Sequence, residues 1–227
     1  MSNIPADRQS DSEPRSLVRP IDSSCGLVVG VIGGIASGKS EVSKLLEAKG
    51  ASVFNADAAG HRLLTRPDIR QKIIDVFGVG CLDENGVIDR KHLAKSFFSG
   101  PSDQLSQLES ILHPVIRQQA VEAIEAFRKD GSMPMLILDV PLLIEAGWQS
   151  LCDKIIFVNT PIEIRFANAS RRGWSNQELL VRESTQLPLD KKKGHATDIV
   201  QNAGSIQDLR DNLLELPWLA RLPILEA

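Results

Sequence analysis

The sequence predicts an α/β fold: a parallel sheet of about five strands built around a phosphate-binding loop (P-loop), flanked by helices, with a helical insertion and a helical lid. Three observations carry that expectation. Leu27 to Ile32 is an apolar, β-branched run of the kind that forms a buried strand. Gly33 to Ser40, GGIASGKS, follows at once and fits G-x-x-x-x-G-K-[ST]. Glu41 to Lys49 then has helical spacing at Val42, Leu45 and Leu46, with Gly50 as its stop. Strand, glycine loop and helix stand in the order that a phosphate-binding loop requires.

The residue types of the loop have physical reasons. Gly33, Gly34 and Gly38 let the backbone turn and approach an anion with no Cβ in the way, so successive amides can point inward. The helix start adds partial positive charge at the same place. Gly34, Ile35, Ala36, Ser37, Gly38, Lys39 and Ser40 are therefore the expected cradle of a nucleotide. Lys39 would reach the β- and γ-phosphates, and the Ser40 hydroxyl would be a ligand of Mg²⁺.

Composition sets the limits. A chain of 227 residues, 42% hydrophobic, can bury one good core, so one domain with insertions is expected. The net charge of -3 argues against general affinity for nucleic acid, which needs a basic face. Cys25, Cys81 and Cys152 are far apart and odd in number, which speaks against a disulfide framework or a zinc site and for a reducing compartment. No apolar run approaches the length of a membrane span. Residues 1–25 are polar, rich in Ser and Pro, and lack aromatics, so they read as a disordered extension. With no apolar h-region and several acids there, a cytoplasmic protein is expected.

After Gly50, Ala51 to Phe54 reads as a second strand ending in Asn55-Ala56-Asp57. An acid at the C-terminal end of a strand beside the phosphate loop sits where open α/β sheets bind ligands. Asp57 could take a proton from a substrate hydroxyl, help hold the metal, or simply cap a helix from Ala58 to Leu64. Pro67 to Phe77 has helical spacing, Asp83 to Gly86 is a turn signal, and Arg90 to Phe98 reads as a short helix. Helical spacing resumes from Ser102 to Lys129, where Pro114 is expected to kink or divide it. These helices form an insertion suited to the second substrate.

Met135 to Leu138 followed by Asp139 reads as the strand whose carboxylate reaches Mg²⁺, or as a buried strand whose acid caps a turn. The apolar part of Pro141 to Glu145 reads as packing. Lys154 to Val158 is the next strand. Thr160, Pro161 and Glu163 form a helix start running to about Arg172, and Ser175 with Glu178 opens a helix to about Gln186. Arg171 and Arg172 at the tip of this hairpin suggest a lid over the transferring group, or a solvated pair at a helix C-terminus. Lys191 to Lys193 reads as a solvent-facing run. Ile199-Val200 reads as an edge strand, and Ser205 with Asp208 opens a last helix to about Glu215.

Taken together, these motifs resemble the dephospho-coenzyme A kinase family. The likeness runs from about Leu27 to Leu216 and rests on the phosphate loop, Asn55-Ala56-Asp57 with His61, Asp89-Arg90, Leu112-His113-Pro114, Asp139 to Leu143, Arg171, Gln186 and Asn202-Ala203-Gly204. The resemblance implies transfer of the ATP γ-phosphate to the ribose 3′-hydroxyl of dephospho-CoA, with Mg²⁺. It places the general base on Asp57, the coenzyme A contacts on His61, Arg90 and His113, the lid arginine on Arg171, and the adenine loop on Asn202 and Gly204. It further implies a core of 26–66, 134–160 and 197–220, a substrate-binding insertion at about 67–130 and a lid at about 161–196, acting as a monomer or weak homo-oligomer. The chain departs from the family pattern at Asn55, where an Asp is frequent, at Ala167, in place of an arginine, and at Arg172 and Thr197. A kinase of another small acceptor, or a nucleotide switch without an acceptor, remain open alternatives.

Overall fold

The computed structural model describes residues 26–89 and 104–222. The N-terminal extension, the expected helix at Arg90 to Phe98 and Arg90 itself lie outside the described residues. Strands β1 (Leu27–Gly33), β2 (Ser52–Asn55), β3 (Met135–Asp139), β4 (Lys154–Asn159) and β5 (Asp198–Gln201) form one parallel sheet in the order β2-β3-β1-β4-β5. Parallel neighbours need crossovers, and the helices that supply them cover both faces of the sheet.

Alternation along the strands feeds two cores. Val28 and Ile32 of β1, Leu136 and Leu138 of β3, and Ile155 and Phe157 of β4 face one layer. That layer contains α2 (Ala56–Leu63), α3 (Pro67–Phe77) and α4 (Gln104–Asp130), which bring in Ala59, Leu63, Ile69, Ile73, Ile116, Ala120, Ile124 and Phe127. The residues between them, Val29, Val31, Met135, Ile137, Ile156 and Val158, pack on Val42 and Leu46 of α1 (Lys39–Glu47) and on Leu209 and Leu213 of the last α-helix, Ile206–Leu214. Burial on both faces explains why these strands read as continuous apolar runs.

Between β4 and β5 the chain forms α5 (Ile162–Ser170), α6 (Asn176–Ser184) and α7 (Leu189–Gly194), and the helix after β5 is α8. The expected capping boxes are present at Ser175 with Glu178 and at Ser205 with Asp208. Three local expectations are corrected. Of the two effects expected of Pro114, division does not occur: helix α4 runs through it from Gln104 to Asp130, with Ile116, Ala120 and Ile124 buried on one face. Helix α5 has Pro161 rather than Thr160 at its N-cap and no side-chain cap. The Thr160 hydroxyl donates to the Ser37 carbonyl at 2.7 Å instead. Finally, the lysine run is not all solvent-facing, because Lys192 is 2% exposed.

Candidate active site

The loop after β1 is shaped by its own backbone and braced by neighbours. Gly38 has φ of 92°, and Ala36, with φ of 60°, holds a left-handed conformation that costs a residue with a Cβ about 1–2 kcal/mol. Side chains from outside hold the loop's carbonyls. Asn168 Nδ2 donates to Ala36 O at 3.0 Å, and Thr160 Oγ1 and Asn202 Nδ2 donate to Ser37 O at 2.7 and 2.9 Å. Lys39 folds back on the loop, its Nζ donating to Gly34 O at 2.9 Å and to Gly33 O at 3.2 Å. Enclosure of the ammonium, then repulsion from Lys192 and Arg172, lowers its pKa to about 8 against the pull of Asp139 and Glu183.

Beside the loop, β2 and β3 end in register with Asn55 opposite Asp139. Asn55 does two tasks at once: Oδ1 accepts from Ala58 N at 2.7 Å as the cap of α2, and Nδ2 donates to Asp139 Oδ2 at 2.7 Å. Asp57 is therefore released from capping and stands exposed in the first turn of α2. Burial raises the Asp139 pKa first and the charge of Asp57 raises it further, while the Asn55 bond and Lys39 oppose both. Asp139 thus feels the charges of both Lys39 and Asp57 at the carboxyl edge of the sheet, where the chain crosses from β2 and β3 on one side to β4 on the other.

The donor set suits Mg²⁺. Ser40 is exposed at the start of α1 and Asp139 offers carboxylate oxygen, so the hard oxygen donors are few, as expected for an ion that keeps water and phosphate ligands. Among the described residues no group of three or more His, Cys, Asp or Glu could hold a metal on its own. A groove of about 460 Å³ is lined by Gly38, Glu41, Ala167, Asn168, Arg171, Asn202 and Gly204. Arg171 is exposed there and its Nη1 donates to Asn168 Oδ1 at 3.1 Å. His61 and His113 are exposed on α2 and α4, two helices that meet where Ile116 lies against Gly60.

Several residues make contacts at the site that no spacing in the sequence reveals. Lys192 Nζ donates to Gln186 Oε1 at 2.8 Å and pairs with Glu145 Oε1 at 2.9 Å, and Glu145 also accepts from Leu187 N at 3.0 Å. Arg165 and Glu183 pair beneath Gly34 and Ile35. Thr160 and Asn168 hold the loop carbonyls. Each of these contacts is made across elements, so no local spacing announces it.

Comparison with known proteins agrees with this geometry. A family model described as dephospho-CoA kinase matches residues 27–208. A dephospho-CoA kinase from Carboxydothermus hydrogenoformans is 38% identical over 191 residues, covering 83% of this chain and 92% of the relative. One from Bacillus licheniformis is 36% identical over 192 residues, covering 84% and 94%. The crystal structure of TT1252 from Thermus thermophilus superposes with a TM-score of 0.69 at 32% identity, covering 85% of this chain and 98% of that one. The dephospho-CoA kinase from Campylobacter jejuni shares the fold, with a TM-score of 0.64 at 24% identity, covering 83% and 94%. With the family model spanning most of its length and a relative 38% identical over more than four-fifths of it, the chain belongs to the dephospho-CoA kinase family.

Proposed function

We propose that the chain performs its family's reaction, transfer of the ATP γ-phosphoryl group to the ribose 3′-hydroxyl of dephospho-CoA, with Asp57 as general base and Lys39 and Arg171 balancing charge. The observation that supports this most is the meeting of Lys39, Asp139 and an uncommitted Asp57 at the carboxyl edge of the sheet. The residues 34–40 hold the triphosphate, and Asn202 and Gly204, which line the same groove, border the adenine. Ser40 would hold a magnesium ion that Asp139 reaches, and the ion would supply neutralisation of phosphate charge. Lys39 exchanges its carbonyl partners for phosphate oxygens, which favours its ammonium form. Asp57, exposed and free of the cap, accepts the proton of the attacking hydroxyl.

The hairpin α5–α6 acts as the lid, bringing Arg171 over the transferring group and excluding water that would otherwise receive the phosphate. His61, His113 and Arg90 contact the coenzyme A part. The protein works in the cytoplasm, as the cysteine usage and the polar N-terminal stretch suggest, as a monomer or weak homo-oligomer. Incubation with Mg·ATP and dephospho-CoA should add the mass of one phosphate to the acceptor, and an unmodified acceptor with continued ATP consumption on a different alcohol refutes the assignment. Asp57→Asn should slow single-turnover transfer by about 10²-fold or more, and an unchanged rate removes Asp57 from the role.

A further inference from the structure

Arg165 and Glu183 have no part in the roles above. Arg165, on α5, is 5% exposed, and its Nη1 donates to Glu183 Oε1, on α6, at 2.5 Å. The same oxygen accepts from the Ile35 backbone amide at 3.2 Å. Gly34 makes room for the pair, since a Cβ there would lie 2.5 Å from Arg165 Nη1 and 2.9 Å from Glu183 Oε1. Apolar packing closes the same joint: Ala36 of the loop is buried with Ala169 of α5 and Leu179 of α6, and Ile35 packs against them. The hairpin and the phosphate loop are therefore joined both by charge and by contact.

A carboxylate is a poor neighbour for a polyanion, and the charge of Glu183 is felt at Lys39. Stability gives little reason to keep the pair, because desolvation offsets most of the attraction in a buried ion pair. What an apolar pair of the same volume cannot provide is an acceptor for the Ile35 amide. We propose that Arg165 and Glu183 are positioning residues for phosphoryl transfer: Glu183 fixes the Ile35 amide and so the loop's approach to the nucleotide, and Arg165 cancels the charge that would repel the phosphates. The proposal rests on the phosphate-loop reading above and acts through the loop, with neither residue touching substrate.

The test compares the parent chain with Glu183→Gln, Arg165→Leu and the double variant Arg165→Leu/Glu183→Leu. Three quantities are read: the Mg·ATP dissociation constant by titration without acceptor, kcat, and the thermal midpoint. Glu183→Gln keeps an oxygen at the amide, so kcat stays within about threefold of the parent. Arg165→Leu leaves a bare carboxylate near the phosphates, and the dissociation constant rises about tenfold or more. The double variant binds Mg·ATP within about threefold of the parent and keeps its midpoint. Its kcat still falls by about 10- to 100-fold, because the loop has lost its anchor.

A double variant with the parent's kcat overturns the inference, as does Glu183→Gln falling as far as the double variant. If Arg165→Leu does not fold, those two results decide alone. Binding is read without acceptor, so a parent chain that binds Mg·ATP but phosphorylates another alcohol would refute the proposed substrate and leave this test in force.

Discussion

Gly38 carries φ of 92°, and a Cβ added there would lie 2.5 Å from Asn202 Nδ2. Gly38→Ala therefore has two costs. A left-handed backbone costs a residue with a Cβ about 1–2 kcal/mol. Asn202 must also swing away from Ser37 O and lose a bond of 2.9 Å, worth about 1 kcal/mol net. Thr160 still donates to that carbonyl at 2.7 Å, so it is not orphaned and no larger penalty arises. The expected loss is about 2–3 kcal/mol. Asn202→Ala alone loses the same bond, about 1 kcal/mol. The double variant loses that bond only once, so it too should fall by about 2–3 kcal/mol, a coupling of about 1 kcal/mol relative to independent effects. Urea unfolding of the four chains measures each value. Additive losses, or Gly38→Ala within about 0.5 kcal/mol of the parent, refute the reasoning.

Four further outcomes are expected. Lys39 has a pKa of about 8 in the ligand-free chain, lowered by enclosure and by Lys192, and phosphate oxygens favour its charged form. Nucleotide binding should then take up a proton above that pH, with metal-free ATP affinity falling up to about tenfold per pH unit, and a flat affinity from pH 7 to 10, in roughly equal steps, speaks against it. In the ligand-free chain the same shift makes stability rise with pH from about 8 towards the ordinary lysine value of 10.5, since the unfolded chain binds the extra proton. Lys192→Met removes the charged partner of Glu145, which keeps solvent and the Leu187 amide, and leaves Gln186 Oε1 without its donor, so it should cost about 1–2 kcal/mol; adding Glu145→Leu should change this by less than about 1 kcal/mol in the same unfolding assay. Burial, and then Asp153, push the Cys152 thiol up to about 12, so iodoacetamide at pH 8 should modify it in urea and not in the folded chain, as read by peptide mass.

The parts of the fold that were legible in the sequence are those set by local chemistry. The β1 strand, its glycine loop and α1 follow one another without interruption, and the boxes at Ser175 and Ser205 cap their helices within three residues. Where tertiary partners compete, local signals mislead. Thr160 has the right neighbours for a cap but finds the Ser37 carbonyl instead. Asn55 takes the cap that Asp57 offered, because its amide can serve the helix and Asp139 together. Three consecutive lysines on one helix point in different directions, so their shared charge conceals that Lys192 turns inward to Glu145 and Gln186. Arg165 and Glu183 are 18 residues apart and meet because α5 and α6 form a hairpin, a relation with no period to detect.

The carbonyls of Ala36 and Ser37 are tied outward by Asn168, Thr160 and Asn202 before any nucleotide arrives. The conformational entropy of ordering this segment is thus lost when the chain folds, not when the ligand docks, so arrival does not wait on a search through backbone shapes. On the proposed phosphate role, what must move is the enclosed Lys39 side chain, which leaves the Gly33 and Gly34 carbonyls by rotation about its own bonds with no backbone rearrangement. On the lid role proposed for the α5–α6 hairpin, the slow step in loading falls to that hairpin, since collective motions of this size lie in the microsecond to millisecond range.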